Sequence, residues 1–261
     1  MCRLAAYIGP GITLQRFLLD PPHNLVRQTW NPKEMSEAVL NADGFGFGWY
    51  PDREQPATYL NTQPAWSDIN ISGLAASLSS SVWLAYVRSA TEGQITGQIN
   101  TQPFVMDNIL YIHNGNIKQF NPEYRVRFHE FLQPHILAGI NGNTDSEYLF
   151  AVIREKFETS EGDLVKALEE SLVAIRSIID RGSCLLNFIL TDGNRIYATR
   201  HAINGTPPTL YYLYDDSQYP GATLLASEPV TNSENWKQLP EHSQLIVSAG
   251  EAPEISAIQC P

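Results

Sequence analysis

The second residue of this 261-residue chain is a cysteine, and that position offers a chemistry that an internal cysteine lacks. Initiator-methionine removal favours a small second residue, so the mature chain is expected to begin at Cys2 and to carry a thiol and a free α-amine on one residue. These groups ordinarily titrate near about 8.5 and about 7.7–8.0, close enough for the amine to take the thiol proton directly or through water. Such an N-terminal nucleophile attacks a carbonyl carbon and holds the acyl group as a covalent intermediate. The plainer alternative is a small apolar residue opening a strand. Other chemistries find less support. The histidines at 23, 113, 129, 135, 201 and 242 have no metal-ligand spacing and no His-Glu-x-x-His occurs, so neither metal nor cofactor is expected. The run Asn41-Ala42-Asp43-Gly44-Phe45-Gly46 has the glycines of a phosphate loop but leads into a strand, which offers no helix N-terminus to a phosphate.

Composition narrows the setting. With 28 acidic and 17 basic residues the formal charge is −11, and the scattered basic residues make no surface for a nucleic acid backbone. No run approaches the roughly 18–20 apolar residues that a membrane helix needs. Pro10 and Gly11 interrupt the first apolar run, so no leader pattern is expected. Three cysteines, at 2, 184 and 260, are too few and too irregular for a disulfide framework. A reducing, cytoplasmic setting follows as the expectation, with Cys184 a buried small residue.

The elements that must position Cys2 are legible in part. Residues 2–8 read as a strand closed by the turn Gly9-Pro10-Gly11, and 44–50, 82–88 and 109–113 as further strands, the last two ending in polar residues. Apolar residues at three and four spacing predict helices over 123–140, interrupted at Pro134, and over 145–158 and 163–179. Strand character returns at 185–191, 195–199, 210–214, 222–226 and 244–247, with Asp192-Gly193 as a hairpin turn. Without a repeat or a linker, residues 1–261 read as one domain. Strands, then helices, then strands predict an α+β fold with sheets covered by helices.

Four segments join Cys2 in a recognisable order: Arg88-Ser89-Ala90-Thr91 after a strand, Asn100-Thr101-Gln102-Pro103-Phe104, His113-Asn114-Gly115 at another strand end, and Asn143-Thr144-Asp145-Ser146-Glu147 at a helix start. Together they resemble the class II glutamine amidotransferase domain. The resemblance implies an αββα sandwich of two mixed or antiparallel sheets between helical layers, a γ-glutamyl small-molecule substrate, and a nucleophile at Cys2. It also implies oxyanion donors at Asn114 and Gly115, and substrate binding by Arg88, Thr91, His113 and Asp145. The residue types suit those roles. Arg88 offers a planar fork to an α-carboxylate, Asp145 a charge to an α-ammonium, and Asn114 with the Gly115 N–H two donors to an oxyanion. Each also has a structural alternative: an exposed strand-end arginine, a first-turn acid in the capping box Thr144–Glu147, and an Asn-Gly hairpin turn.

A narrower resemblance extends over most of the chain. Cys2-Arg3, Leu19-Asp20-Pro21-Pro22-His23, the segment 41–49, Val87 to Thr91 and Ala226-Ser227-Glu228-Pro229 look like the stand-alone amidohydrolase of ergothioneine biosynthesis, which removes glutamate from a γ-glutamyl hercynylcysteine sulfoxide. Gln102 departs from the histidine that many stand-alone relatives carry. Two rivals remain: a glutaminase subunit supplying ammonia to a separate synthase partner, and a non-enzymatic binding protein on the same fold.

Overall fold

A period-two alternation in the first strand sets the layering. In chain order the elements are β1 (Arg3–Thr13), α1 (Leu14–Leu18), α2 (Leu25–Gln28), β2 (Phe45–Trp49), β3 (Ala57–Asn61), α3 (Ile71–Ser77), β4 (Ser79–Val87), β5 (Phe104–Met106), β6 (Ile109–Asn114), α4 (Arg125–Phe131), α5 (Pro134–Ala138), α6 (Asp145–Thr159), α7 (Leu164–Ile179), β7 (Cys184–Leu185), β8 (Asn187–Thr191), β9 (Arg195–Arg200), β10 (Ala202–Ile203), β11 (Tyr211–Asp216), β12 (Tyr219–Ala226), β13 (Lys237–Gln238), β14 (Ser243–Ser248) and β15 (Glu254–Ala257). This computed structural model describes residues 2–34, 40–51, 55–90 and 97–259. Met1, Thr91 and Cys260 lie outside the described residues.

Two antiparallel sheets form the centre. One has seven strands in the order β13-β11-β12-β1-β4-β2-β3, the other six in the order β15-β14-β9-β8-β6-β5. Leu4, Ala6 and Ile8 of β1 meet Leu84 of β4, Leu110 and Ile112 of β6 and Ile189 of β8 in a cluster between the sheets. The intervening Ala5 and Tyr7 face outward, where they pack with Leu14 and Phe17 of α1, Leu25 of α2 and Ile71 of α3. The outer face of the second sheet, with Tyr111, Phe188 and Leu190, is covered by α4 to α7 through Phe128, Leu149, Leu172 and Ile175. The result is the αββα layering. Each fully buried aliphatic side chain contributes about 1.5–3 kcal/mol, and strict parity is what lets both faces of each sheet do so.

The structure corrects the expected end of the first strand. Gly9-Pro10-Gly11 does not close it: β1 continues to Thr13, and the register with β4 shifts between Ile8↔Val82 and Ile12↔Ser80. Pro10 lies in that irregularity, where the ladder is already broken and its missing N–H costs least. Helices α1, α2 and α3 and strand β3 escaped the sequence reading because four to seven residues are too few to display a period. The interruption at Pro134 is found as the gap between α4 and α5, with Pro134 opening the second helix. The Asp192-Gly193 turn joins β8 to β9, with Gly193 at φ +85°.

Candidate active site

Parity also decides which side chains share the cleft. Cys2 continues the inward series of Leu4, Ala6 and Ile8 and packs against the inter-sheet cluster while remaining half-exposed. Asn114 continues the inward series of Leu110 and Ile112 on β6, at the same end of the sandwich. Ser227, just beyond β12, ties the two sheets there: its Oγ accepts from the Leu4 N–H at 3.1 Å and lies 3.5 Å from Asn114 Nδ2. Among the described residues the buried Asn114 Oδ1 has no hydrogen-bond partner, an unsatisfied group of the sort that marks a working site.

The Cys2 thiol sits among donors. Tyr86 Oη lies 2.8 Å from Cys2 Sγ, the Ser89 N–H is 3.4 Å from it, and the thiol itself can donate to Ser89 O at 3.4 Å. The segment 88–90 that carries Ser89 is held by the glycine-rich run: the Arg88 N–H donates to Gly44 O, the Asp43 N–H to Arg88 O, and Asp43 Oδ2 accepts from the Ala90 N–H. That run therefore braces a loop rather than a phosphate. Arg88 is not an exposed strand end; it is 2% exposed at the end of β4 and close enough to Tyr86 to act on its ionisation.

Beneath Cys2 lies a buried charge cluster. Arg3 Nη1 donates to Cys2 O at 3.2 Å, and Arg3 Nε pairs with Glu228 Oε1 at 3.0 Å. Glu228 also meets His23 Nε2 at 2.8 Å and accepts from the Lys33 and Glu34 N–H groups. Burial works to raise the Glu228 carboxyl, but His23, the two N–H donors and Arg3 outweigh it and hold the group down at about 2. Burial lowers the Arg3 guanidinium from its ordinary value, with Glu228 opposing. Three segments of the narrower resemblance, at 2–3, 23 and 226–229, thus converge in space.

The facing side is held mainly by neutral groups, with the Asp145 carboxylate behind them. His113 has the opposite parity to Asn114, so its ring points to the helical layer, not to the cleft. Its Nδ1 bonds Ser146 Oγ and its Nε2 bonds Leu185 O, each at 2.8 Å. Burial pushes its imidazole below the ordinary value despite the Asp145 carboxylate. The Gln102 side chain bonds both the N–H and the carbonyl of His113, like a short piece of strand. Gly46 makes room for that segment: a Cβ there would stand 2.2 Å from Gln102 O. At Gly115 a Cβ would stand 2.0 Å from Leu185 O, so only glycine lets the backbone after Asn114 approach so closely. Nor do Asn114 and Gly115 form a hairpin turn; Asn114 ends β6 in register with Asn187.

Asp145 opens α6 and is 4% exposed. Its Oδ2 accepts from the Ile117 N–H at 2.7 Å and its Oδ1 from the Ser146 N–H, which fixes the loop after Gly115. Thr144 caps the helix by accepting from the Glu147 N–H, but the expected box is not closed. Glu147 instead accepts from the Asn141 and Gly142 N–H groups, each at 2.7 Å, because the preceding loop bends back over the helix start. Burial raises its carboxyl against those two bonds. Thr91 cannot be placed, since it lies outside the described residues. Sequence reasoning missed Tyr86, and it named Arg3, His23, Ser227 and Glu228 only within the segments of the narrower resemblance, without a role. A polar aromatic two residues before Arg88, hence on its face of β4, was the available signal for Tyr86. Among the described residues no group of three or more His, Cys, Asp or Glu is placed to hold a metal, and no helix is long and apolar enough to cross a membrane.

Comparison with known proteins agrees with this geometry. The sequence profile of the class II glutamine amidotransferases matches residues 28–260. The chain is 27% identical to a gamma-glutamyl-hercynylcysteine sulfoxide hydrolase of Mycolicibacterium smegmatis, over 92% of this chain and 93% of that protein. It is 26% identical to the probable glutamine amidotransferase DUG3 of Saccharomyces cerevisiae, over 95% of this chain and 82% of that protein. The structure of a glutamine aminotransferase class-II domain protein from Silicibacter pomeroyi superposes over the full length of both chains with a TM-score of 0.73 at 24% identity, which shows a shared fold. With a profile spanning most of its length, relatives named for C–N hydrolysis and a thiol beside an amide-bearing strand end, the chain belongs to the class II glutamine amidotransferase family and is an amidohydrolase-type enzyme.

Proposed function

We propose that the protein, once Met1 is removed, hydrolyses a γ-glutamyl amide whose leaving amine is large, a γ-glutamyl hercynylcysteine sulfoxide or a close relative of it. Cys2 Sγ attacks the γ-carbonyl as its proton passes to the α-amine of the same residue. Asn114 Nδ2 and the Gly115 N–H receive the oxyanion. The α-amine then hands the proton to the leaving amine, and water releases glutamate from the thioester and restores the thiol. Arg88 binds the α-carboxylate and Asp145 the α-ammonium; Thr91 is assigned to the substrate by the resemblance alone. His113 acts from behind, positioning Asn114 and Gly115 through Gln102, Ser146 and Leu185 O. A reducing cytoplasm would keep Cys2 free for this work.

The observation that carries the choice of a large leaving group is a cavity of about 630 Å³ bordered by Arg3, Asn116, Lys118, Leu185, Arg200 and Thr209. Arg3 and Asn116 are the chain neighbours of Cys2 and Gly115, so the cavity adjoins the cleft by one residue on each side, although Cys2, Asn114 and Gly115 do not line it. Glutamine, which releases only ammonia, has no use for such a volume. Remote contacts of a larger substrate can be used to orient the scissile bond. The test is kcat/KM for a γ-glutamyl cysteine-derived sulfoxide against glutamine. A clear preference for the conjugate is expected; equal values, or a glutamine activity that rises on adding a synthase, would favour an ammonia-supplying subunit instead.

A further inference from the structure

Tyr86 pairs with Leu4 across the β1–β4 ladder, is 4% exposed and belongs to the apolar cluster between the sheets. Its hydroxyl nevertheless leaves that core and ends 2.8 Å from Cys2 Sγ. Burial pushes its phenol well above the ordinary value, with the Cys2 sulfur and Asp145 adding to the rise and Arg88 opposing it. The group therefore keeps its proton over the working pH range and offers a fixed O–H.

Building on Cys2 as the nucleophile, we propose that Tyr86 is a catalytic residue whose O–H donates to the Cys2 sulfur, holding the thiolate that attacks and the thiolate that leaves when the thioester is hydrolysed. No bond to Tyr86 forms or breaks. The thiol proton passes to the α-amine, the carbon–sulfur bond forms as the carbonyl electron pair moves to oxygen, and in the second half-reaction the sulfur departs with its electron pair, still facing the same donor. The Ser89 N–H, 3.4 Å away, is the second donor. The charged groups around the pair are Arg3 from β1, Arg88 at the end of β4, Asp145 from α6 and the α-amine of mature Cys2.

A donor to sulfur has a signature that packing lacks. It enlarges the thiolate population but lowers the intrinsic nucleophilicity of each thiolate, with a Brønsted slope of about 0.4–0.5. Its advantage therefore belongs to neutral pH and turns into a handicap once the thiol is fully ionised. The experiment is Tyr86→Phe in the full chain, with Met1 loss checked by intact mass. Alkylation of Cys2 by iodoacetamide is followed against pH by peptide mass spectrometry, and kcat and KM for glutamate release are measured in parallel. Near about pH 7 alkylation should fall by about three- to tenfold, and kcat should fall with little change in KM. Near about pH 10 the variant should match or exceed the wild type. A profile superimposed on the wild type, or a deficit of equal size at every pH, overturns the proposal. Should the phenylalanine variant not fold, Tyr86→Leu must show the same crossing, and its absence counts equally against it. Alkylation needs no γ-glutamyl substrate, so wild-type protein that releases no glutamate would refute the functional reading while leaving this result interpretable.

Discussion

The two banks of the cleft are built from opposite materials. On the bank of Cys2, the proposed nucleophile, a buried ion pair and its partners, Arg3, Glu228 and His23, grip the start of β1 and the backbone carbonyl of Cys2. On the bank of Asn114, the proposed oxyanion donor, a neutral web of Gln102, His113 and Ser146 fixes the end of β6. The difference follows from what each must hold. The start of a strand is held by fewer ladder bonds than its middle, and charge-assisted bonds resist fraying better than neutral ones. Asn114 ends a strand inside a sheet that is already rigid, where neutral bonds hold the backbone and the Asp145 carboxylate is engaged by the Ile117 and Ser146 N–H groups.

The comparison can be broken at either bank. The largest effect belongs to Cys2→Ala, which should abolish glutamate release while leaving the thermal midpoint nearly unchanged, because the thiol takes no part in the ladders. Across the cleft Gly115→Ala should lower kcat by about a hundred- to a thousandfold, the loss expected for a displaced oxyanion donor. It should also destabilise the fold, since the added methyl meets Leu185 O. Arg88→Lys keeps the charge without the fork, and Asp145→Asn keeps the shape without the charge. Each should lower kcat/KM by about ten- to a hundredfold, and unchanged kinetics in both would remove them from the substrate site.

Acid separates the banks by stability. Glu228 is held below its free value, so its contribution is present above about pH 4.5 and is lost as pH falls toward about 2. Glu228→Gln should therefore cost about 2–4 kcal/mol at neutral pH, after allowance for solvent screening, and the gap from wild type should close below about pH 4.5. His113 is held neutral by burial, so the stability linked to it is present above about pH 6.5 and fades as pH falls below that. His201, pushed down to about 4 by burial and by His242, fades in the same window. Denaturant midpoints across pH should show the upper stage reduced in His113→Gln and the lower stage reduced in Glu228→Gln. A Glu228→Gln gap that ignores pH would contradict the charged nucleophile bank.

What the sequence disclosed follows the same division. The long helices over 145–158 and 163–179 were readable because their periods run for several repeats, and the strands at 82–88 and 109–113 because of their aromatic and branched content. Cys2, Asn114, Gly115 and Arg88 were readable because their types and order are unusual. Residues that act through distant partners were not. Nothing near Glu228 in the chain announces Arg3 and His23, and Tyr86 reads as one more aromatic in an apolar strand. The resemblance implies that His113 binds substrate, although strand parity sends it and Asn114 to opposite faces. Pro10 misled the end of β1 because a bulge and a turn share the same residues.

The central claim is that the thiol of mature Cys2 is the acyl acceptor. Its most direct test is to treat the purified protein with a diazoketone analogue of glutamine and map the adduct by peptide mass spectrometry. The account predicts one stoichiometric adduct, on a peptide whose first residue is Cys2, blocked by excess γ-glutamyl substrate. An adduct on Cys184 or Cys260, or modification of Cys2 while Met1 is still attached, would contradict it.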